Sequence, residues 1–261
     1  MSSSSSSQKY SLKRCISYFP TMLYNTMVVS MTSTWYENVL TQLEDGECIL
    51  DVGVGTAGAL IQCADIIKSK NLRIVGLDYN ALYIEEAKIA VIQAGLENHV
   101  NLVCMSIYDE KQLPALVLLL QQLSGSRSSS SNLTTNEDKQ FFDSIYFSGS
   151  FSLLPSPIDA LHSVSKLLPS PEKGGGNIYI TQTFQRYSPP FFNIVKPLIK
   201  YVTTIDFGRL ISTKEILEIY EKSGLKLVEH KVIENSIDSF LQGAYLSILS
   251  TSKKEKSISA S

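Results

Sequence analysis

Along the chain, short continuous apolar runs alternate with longer stretches in which apolar residues recur every three or four positions. That is the pattern of strands buried on both faces, interleaved with amphipathic helices. Cys48 to Val54 (CILDVGV) reads as a buried strand ending in glycines, and Ala57, Leu60, Ile61, Ala64 and Ile67 mark the inner face of the helix after it. Arg73 to Asp78 is a second strand, followed by a helix capped by Asn80, striped by Ile84, Ala87, Val91 and Ala94, and stopped at Gly95. Val100 to Ser106 is a third strand, Gln112 to Leu123 a helix and Phe142 to Phe147 a fourth strand. Ser156-Pro157 opens a helix with Leu161, Val164 and Leu168 inward, and Asn177 to Phe184 is a fifth strand. A Ser212-x-x-Glu215 capping box and Gly224 bound the last helix. Lys226 to Ile233 and Ala244 to Ser250 then read as two strands whose connection is too short for a parallel crossover, so they run antiparallel. The expectation is an α/β fold of three layers, with seven strands, mostly parallel, and a reversed strand near the C-terminal edge.

Three stretches interrupt this pattern with serine, charge and few apolar residues. They read as a disordered Ser-rich tail over 1–9, a flexible insertion over 124–140 and a disordered tail over 253–261. An N-terminal helical segment over 10–46 and a lid segment over 185–211 flank or interrupt the main domain, 47–252. No apolar run approaches the roughly 20 residues of a membrane-spanning helix, and no secretory pattern opens the chain, so a cytoplasmic protein is expected. Lys and Arg number 23 against 25 Asp and Glu, which leaves no basic surplus for a phosphate backbone, and nucleic acid is not expected as a partner. The four cysteines, Cys15, Cys48, Cys63 and Cys104, show no metal-ligand spacing. They read as reduced and structural, with Cys48 and Cys104 packed in apolar runs, and no metal is expected.

The sharpest local signal is Asp51-Val52-Gly53-Val54-Gly55-Thr56-Ala57-Gly58, between a strand and a helix. Gly53 and Gly55 permit a tight turn that a ligand can approach closely, and Gly58 permits close packing of helix on strand. Asp78 ends the next strand twenty residues after Gly58, where a carboxylate can accept both hydroxyls of a ribose. A dinucleotide and S-adenosylmethionine both fit this spacing. Asp51 separates them, because its charge repels a pyrophosphate and attracts a sulfonium and an ammonium.

Residues from about 35 to 250 resemble a Rossmann-like, class I S-adenosylmethionine-dependent methyltransferase of the small-molecule type. The resemblance is carried by the glycine loop, by Gly76-Leu77-Asp78-Tyr79-Asn80 and by Phe142 to Ser150 (FDSIYFSGS). It implies S-adenosyl-L-methionine as cofactor, with Gly53, Gly55, Thr56 and Gly58 beneath it, and Asp51 near its amino acid moiety. It further implies Asp78 on the ribose, Tyr79 on the adenine face and Ser148 at the methionine amine, where Ser148-Gly149-Ser150 reads equally as a plain turn. Relatives often place an Asp at the end of strand three for the adenine amino group. Ser106 and Ile107 stand there in this chain, with Asp109 as the alternative. The Asn/Asp-Pro-Pro-Tyr/Phe sequence of amide and base methylation is replaced by Ser148-Gly149-Ser150-Phe151, which disfavours those acceptors.

Methyl transfer from a sulfonium needs two reactants held in line in a water-poor site, so no catalytic residue is named. His99, His162 and His230 each have structural surroundings in the pattern. The acceptor is expected to be a small apolar or aromatic molecule walled by Tyr18, Tyr24, Trp35, Phe151 and Tyr187, with Phe19 and Tyr36 in the same N-terminal segment. Ile194 to Ile205, with Lys196 and Lys200, is also compatible with peripheral contact at a membrane surface. Two other readings stand beside this one: an NAD(P)-dependent oxidoreductase using the same loop, and a non-catalytic cofactor-binding protein.

Overall fold

The computed structural model describes residues 29–124, 142–186 and 211–252. The serine tail 1–9, the insertion from 125 on, the lid between 187 and 210 and the tail from 253 lie outside the described residues, as do Cys15, Tyr18, Tyr24 and Tyr187. Seven strands form one sheet: β1 (Cys48–Val52), β2 (Arg73–Asp78), β3 (Val100–Cys104), β4 (Ser144–Ser148), β5 (Asn177–Gln185), β6 (Lys226–Val232) and β7 (Gln242–Ser250). Their order is β3-β2-β1-β4-β5-β7-β6. The first five are parallel, and β7 alone is reversed, antiparallel to both β5 and β6. The expected reversed strand is therefore present. It lies one place in from the edge, wedged between its predecessors.

Among the described residues, seven α-helices cover the sheet: α1 (residues 29–40), α2 (Gly58–Gln62), α3 (Ala64–Ser69), α4 (Ala81–Gln93), α5 (Leu113–Ser124), α6 (Pro157–Ser165) and α7 (Thr213–Lys222). Val39 and Leu40 of α1, Leu60 of α2, Ile67 of α3, and Ile84, Ala87 and Val91 of α4 pack on one face with Ile49, Ile74 and Ile248. Leu116 and Leu120 of α5, Leu161 and Val164 of α6, and Ile216 and Tyr220 of α7 pack on the other with Leu50, Val75, Ile145 and Ile178. Burial on both faces is why the parallel strands carry unbroken apolar runs.

The caps lie where the pattern puts them. Asn80 Oδ1 accepts from the Leu82 amide at 3.0 Å, Ser212 Oγ accepts from the Glu215 amide at 3.2 Å, and Gly95 and Gly224 close their helices at φ of 63° and 73°. Two local expectations are corrected. The single helix after β1 breaks at Cys63, which takes φ −96° and ψ 20° and becomes buried, while Ile61 and Ala64 are only half-buried. Cys104, at the end of β3, is exposed instead of packed, because the strand stops there and its thiol faces the Tyr79 carbonyl.

Candidate functional site

The chain runs from β1 outward through β2 and β3, then returns to the other side of β1 for β4 and β5. A crevice therefore opens between the carboxyl ends of β1 and β4, the place where open α/β sheets bind ligands. Asp51, the glycine loop, Asp78 and the turn after Ser148 all meet at that edge. Gly53 has φ 82° and Gly55 φ 58°, backbone that side chains rarely adopt. The Gly53 amide donates to the Leu77 carbonyl at 2.8 Å, and a Cβ on Gly53 would lie 2.4 Å from that of Ser150. The loop is thus clamped between β2 and the β4 turn. A Cβ built on Gly55 would meet no atom within 4 Å among the described residues beyond its chain neighbours.

The third left-handed position of the loop is Ala57, at φ 58°, and not Gly58. Gly58 matters for packing, since a Cβ there would lie 3.3 Å from the Val29 side chain of α1. Thr56, half-buried, sits beside it.

Two carboxylates face this crevice with different partners. Asp78 is 7% exposed, and backbone amides hold both of its oxygens: Gly55 donates to Oδ2 at 3.1 Å and Asn80 to Oδ1 at 2.8 Å. The amides fix the carboxylate across the glycine loop and leave lone pairs for further donors. Asp51 is fully buried, and its Oδ2 accepts from the Tyr36 hydroxyl at 2.6 Å. Its Oδ1 is buried with no hydrogen-bond partner among the described residues. Burial pushes the Asp51 carboxyl up to about 7, the Tyr36 hydrogen bond opposing the rise and the nearby Asp78 adding to it. Tyr36 in turn meets Tyr146 edge-on at 4.9 Å, and the Tyr146 hydroxyl pairs with Thr181 Oγ1 at 2.9 Å. Burial raises both phenols well above their ordinary range, so neither ionises at neutral pH.

Other residues named from the sequence fall in three groups. Ser148 ends β4 beside Tyr146, its hydroxyl buried without a hydrogen bond of good geometry, and the Gly149 amide donates to the Thr181 carbonyl at 2.8 Å. Tyr79 is 83% exposed next to Asp78. Ser106 is exposed, its hydroxyl accepting from the Tyr108 amide at 3.3 Å; Ile107 is buried in the core, and Asp109 accepts from Gln112.

Phe151 and Trp35, expected in the acceptor wall, are both buried. The 3-10 turn after Ser150 drives Phe151 into the helix layer, fully buried against Phe147 and Tyr220. Trp35 is 2% exposed, its Nε1 donates to Ser236 Oγ at 2.8 Å, and its ring edge lies against Gly149. Both pack beside the turn that follows β4. Tyr36, grouped with the wall aromatics, instead bonds Asp51. Nothing local in the sequence pairs residues fifteen apart on a helix and a strand. Among the described residues, no three His, Cys, Asp or Glu side chains cluster as metal ligands, and no helix is long and apolar enough to cross a membrane.

Sheet order, glycine loop and paired acidic residues define the Rossmann-like fold seen in class I methyltransferases. Solved structures with this fold include an S-adenosylmethionine-dependent methyltransferase from Aquifex aeolicus, 16% identical over 82% of this chain and 88% of that one, at a TM-score of 0.52. Geranyl diphosphate C-methyltransferase from Streptomyces coelicolor A3(2), solved with Mg2+, geranyl diphosphate and S-adenosyl-L-homocysteine, is 11% identical over 85% and 77% at 0.55. The 4+2 cyclase SpnF is 13% identical over 84% and 80% at 0.57. At these identities the likeness is one of fold. No family model matches the sequence, and no curated protein matches it significantly.

Proposed function

We propose that the chain is an S-adenosylmethionine-dependent methyltransferase acting on a small apolar or aromatic acceptor. The observation that carries the reading is Asp51 Oδ1, a fully buried acceptor without a donor at the mouth of the glycine loop. A buried carboxylate oxygen left unpaired is costly, and a ligand ammonium would satisfy it where a pyrophosphate would be repelled. Asp78, already oriented by the Gly55 and Asn80 amides, would take the ribose hydroxyls, and the exposed Tyr79 ring beside it would cover the adenine. The Gly53 and Gly55 backbone would pass beneath the methionyl and ribose parts. Ser148 would meet the ammonium from the β4 side. When bound, the cofactor supplies an electrophilic methyl group on a sulfonium. The chain's own contribution is to hold that methyl and the acceptor in line and to exclude water.

The fold also serves a cyclase, so cofactor binding and methyl transfer are tested separately. Calorimetric titration with S-adenosylmethionine, S-adenosylhomocysteine and NAD(H) is expected to give micromolar binding of the first two only. In Asp78→Ala it is expected to weaken by about 1.5–3 kcal/mol, the usual loss for a hydrogen bond to a charged group. Binding of NAD(H) alone would overturn the reading in favour of an oxidoreductase. Cofactor binding with no acceptor methylated in a labelled-donor screen would favour a non-catalytic or cyclase-like role.

A further inference from the structure

This inference rests on the proposed S-adenosylmethionine site. We propose that Tyr36, supplied by α1 from outside the strand-and-loop motif, is a positioning residue of that site. Its phenol occupies Oδ2 of Asp51 and leaves Oδ1 as the acceptor for the ligand's ammonium, so that binding and ionisation of Asp51 are one linked step.

The geometry is specific. The Tyr36–Asp51 hydrogen bond is 2.6 Å and buried, and the Tyr36 ring is held edge-on by Tyr146, itself anchored to Thr181. With one carboxylate oxygen tied, the rotation of Asp51 is fixed and the other oxygen is the one left without a donor. Among the described residues, the titratable groups facing Asp51 are Tyr36 from α1, Tyr146 from β4 and Asp78 from β2, with Cys63 behind Tyr36 at the break between α2 and α3. None is a cation. An ionised Asp51 thus has no countercharge from these neighbours, and burial makes the protonated form the resting one below about pH 7. An arriving ammonium supplies the countercharge. The carboxyl O–H then breaks, its proton bonds to a water or buffer base, and the Asp51 carboxylate and the ammonium form an ion pair.

Trp35, the preceding residue on the same helix, gives the contrast. It ties α1 to Ser236 and Gly149, and its hydrogen bond goes to Ser236 instead of Asp51. Damage to α1 docking and loss of the Tyr36 hydrogen bond are therefore separable.

The test is calorimetric titration of the full chain with S-adenosyl-L-homocysteine, which has the ammonium without the sulfonium, from pH 5.5 to 8.0 in buffers of different ionisation enthalpy. For the unmodified protein, affinity is expected to fall towards roughly tenfold per pH unit below about 7, with close to one proton released per ligand at pH 6. Tyr36→Phe removes the hydrogen bond that favours the ionised carboxylate. Its loss of affinity is therefore expected to exceed about tenfold at pH 6 and to shrink markedly by pH 8. Asp51→Asn, which keeps the size, is expected to abolish proton release. Trp35→Phe is expected to weaken binding by one factor at every pH. Binding to the unmodified protein without proton release at pH 6 would overturn the inference, even if Tyr36→Phe failed to fold. A Tyr36→Phe loss independent of pH would overturn it too, and both outcomes leave the cofactor reading standing. No binding at any pH would remove the cofactor reading, and this inference with it.

Discussion

Ala57 holds a backbone conformation that costs a residue with a Cβ about 1–2 kcal/mol. Glycine would remove that cost, less the entropy it adds to the unfolded chain. Ala57 is also buried in the core, so glycine removes a packed methyl worth about 1 kcal/mol. The terms offset, and Ala57→Gly is expected to change stability by less than about 1 kcal/mol in urea unfolding. Gly53 is the opposite case, since φ 82° is combined with a Cβ position 2.4 Å from that of Ser150. Gly53→Ala is expected to cost more than about 2 kcal/mol, read by the same unfolding curves. At this scale the sequence shows which residues belong to the loop, because glycine and aspartate between a strand and a helix have few other uses. It does not show that the third turn position falls on an alanine. Nor does it separate Tyr36 from Trp35, two neighbouring aromatics whose different partners are set by tertiary packing.

The elements read best where one periodicity runs from cap to cap. α4 lies between Asn80 and Gly95 and α7 between Ser212 and Gly224, as the caps and stripes indicate. The hydroxyl of Ser212 is the acceptor for the first-turn amide of Glu215, so Ser212→Ala is expected to lower stability by about 1 kcal/mol, measured by chemical unfolding. The helix after β1 reads less well. The apolar stripe of Leu60, Ile61, Ala64 and Ile67 is compatible with one helix or two, and tertiary packing decides by burying Cys63, whose thiol meets the Ser33 carbonyl of α1. α1 packs as an integral part of the sheet-facing layer, with Trp35, Tyr36, Val39 and Leu40 all buried, although its aromatics suggest a ligand wall when read without the fold.

For the whole molecule, the buried Asp51 makes stability depend on pH. Its carboxyl is raised from 3.8 to about 7 in the folded state, so between those values the native chain holds a proton that the unfolded chain has lost. Stability from this group is thus full below about pH 4 and declines as pH rises through 7. Relative to Asp51→Asn, the unliganded protein is expected to lose up to about 4 kcal/mol across that window, measured by melting both proteins from pH 4.5 to 8. Fold class, strand count and the single reversal are all legible in the chain, because runs buried on both faces and a short final connection leave few alternatives. The sheet order is not, since no local signal says that the last strand enters between the two before it. That placement bears on truncation of the chain. Without residues 242–250, β5 presents a bare edge and β6 has no strand to join, so a chain that lacks them carries two unsatisfied backbone ladders at once. A chain cut short before this strand is therefore the form most exposed to wrong pairing with its neighbours.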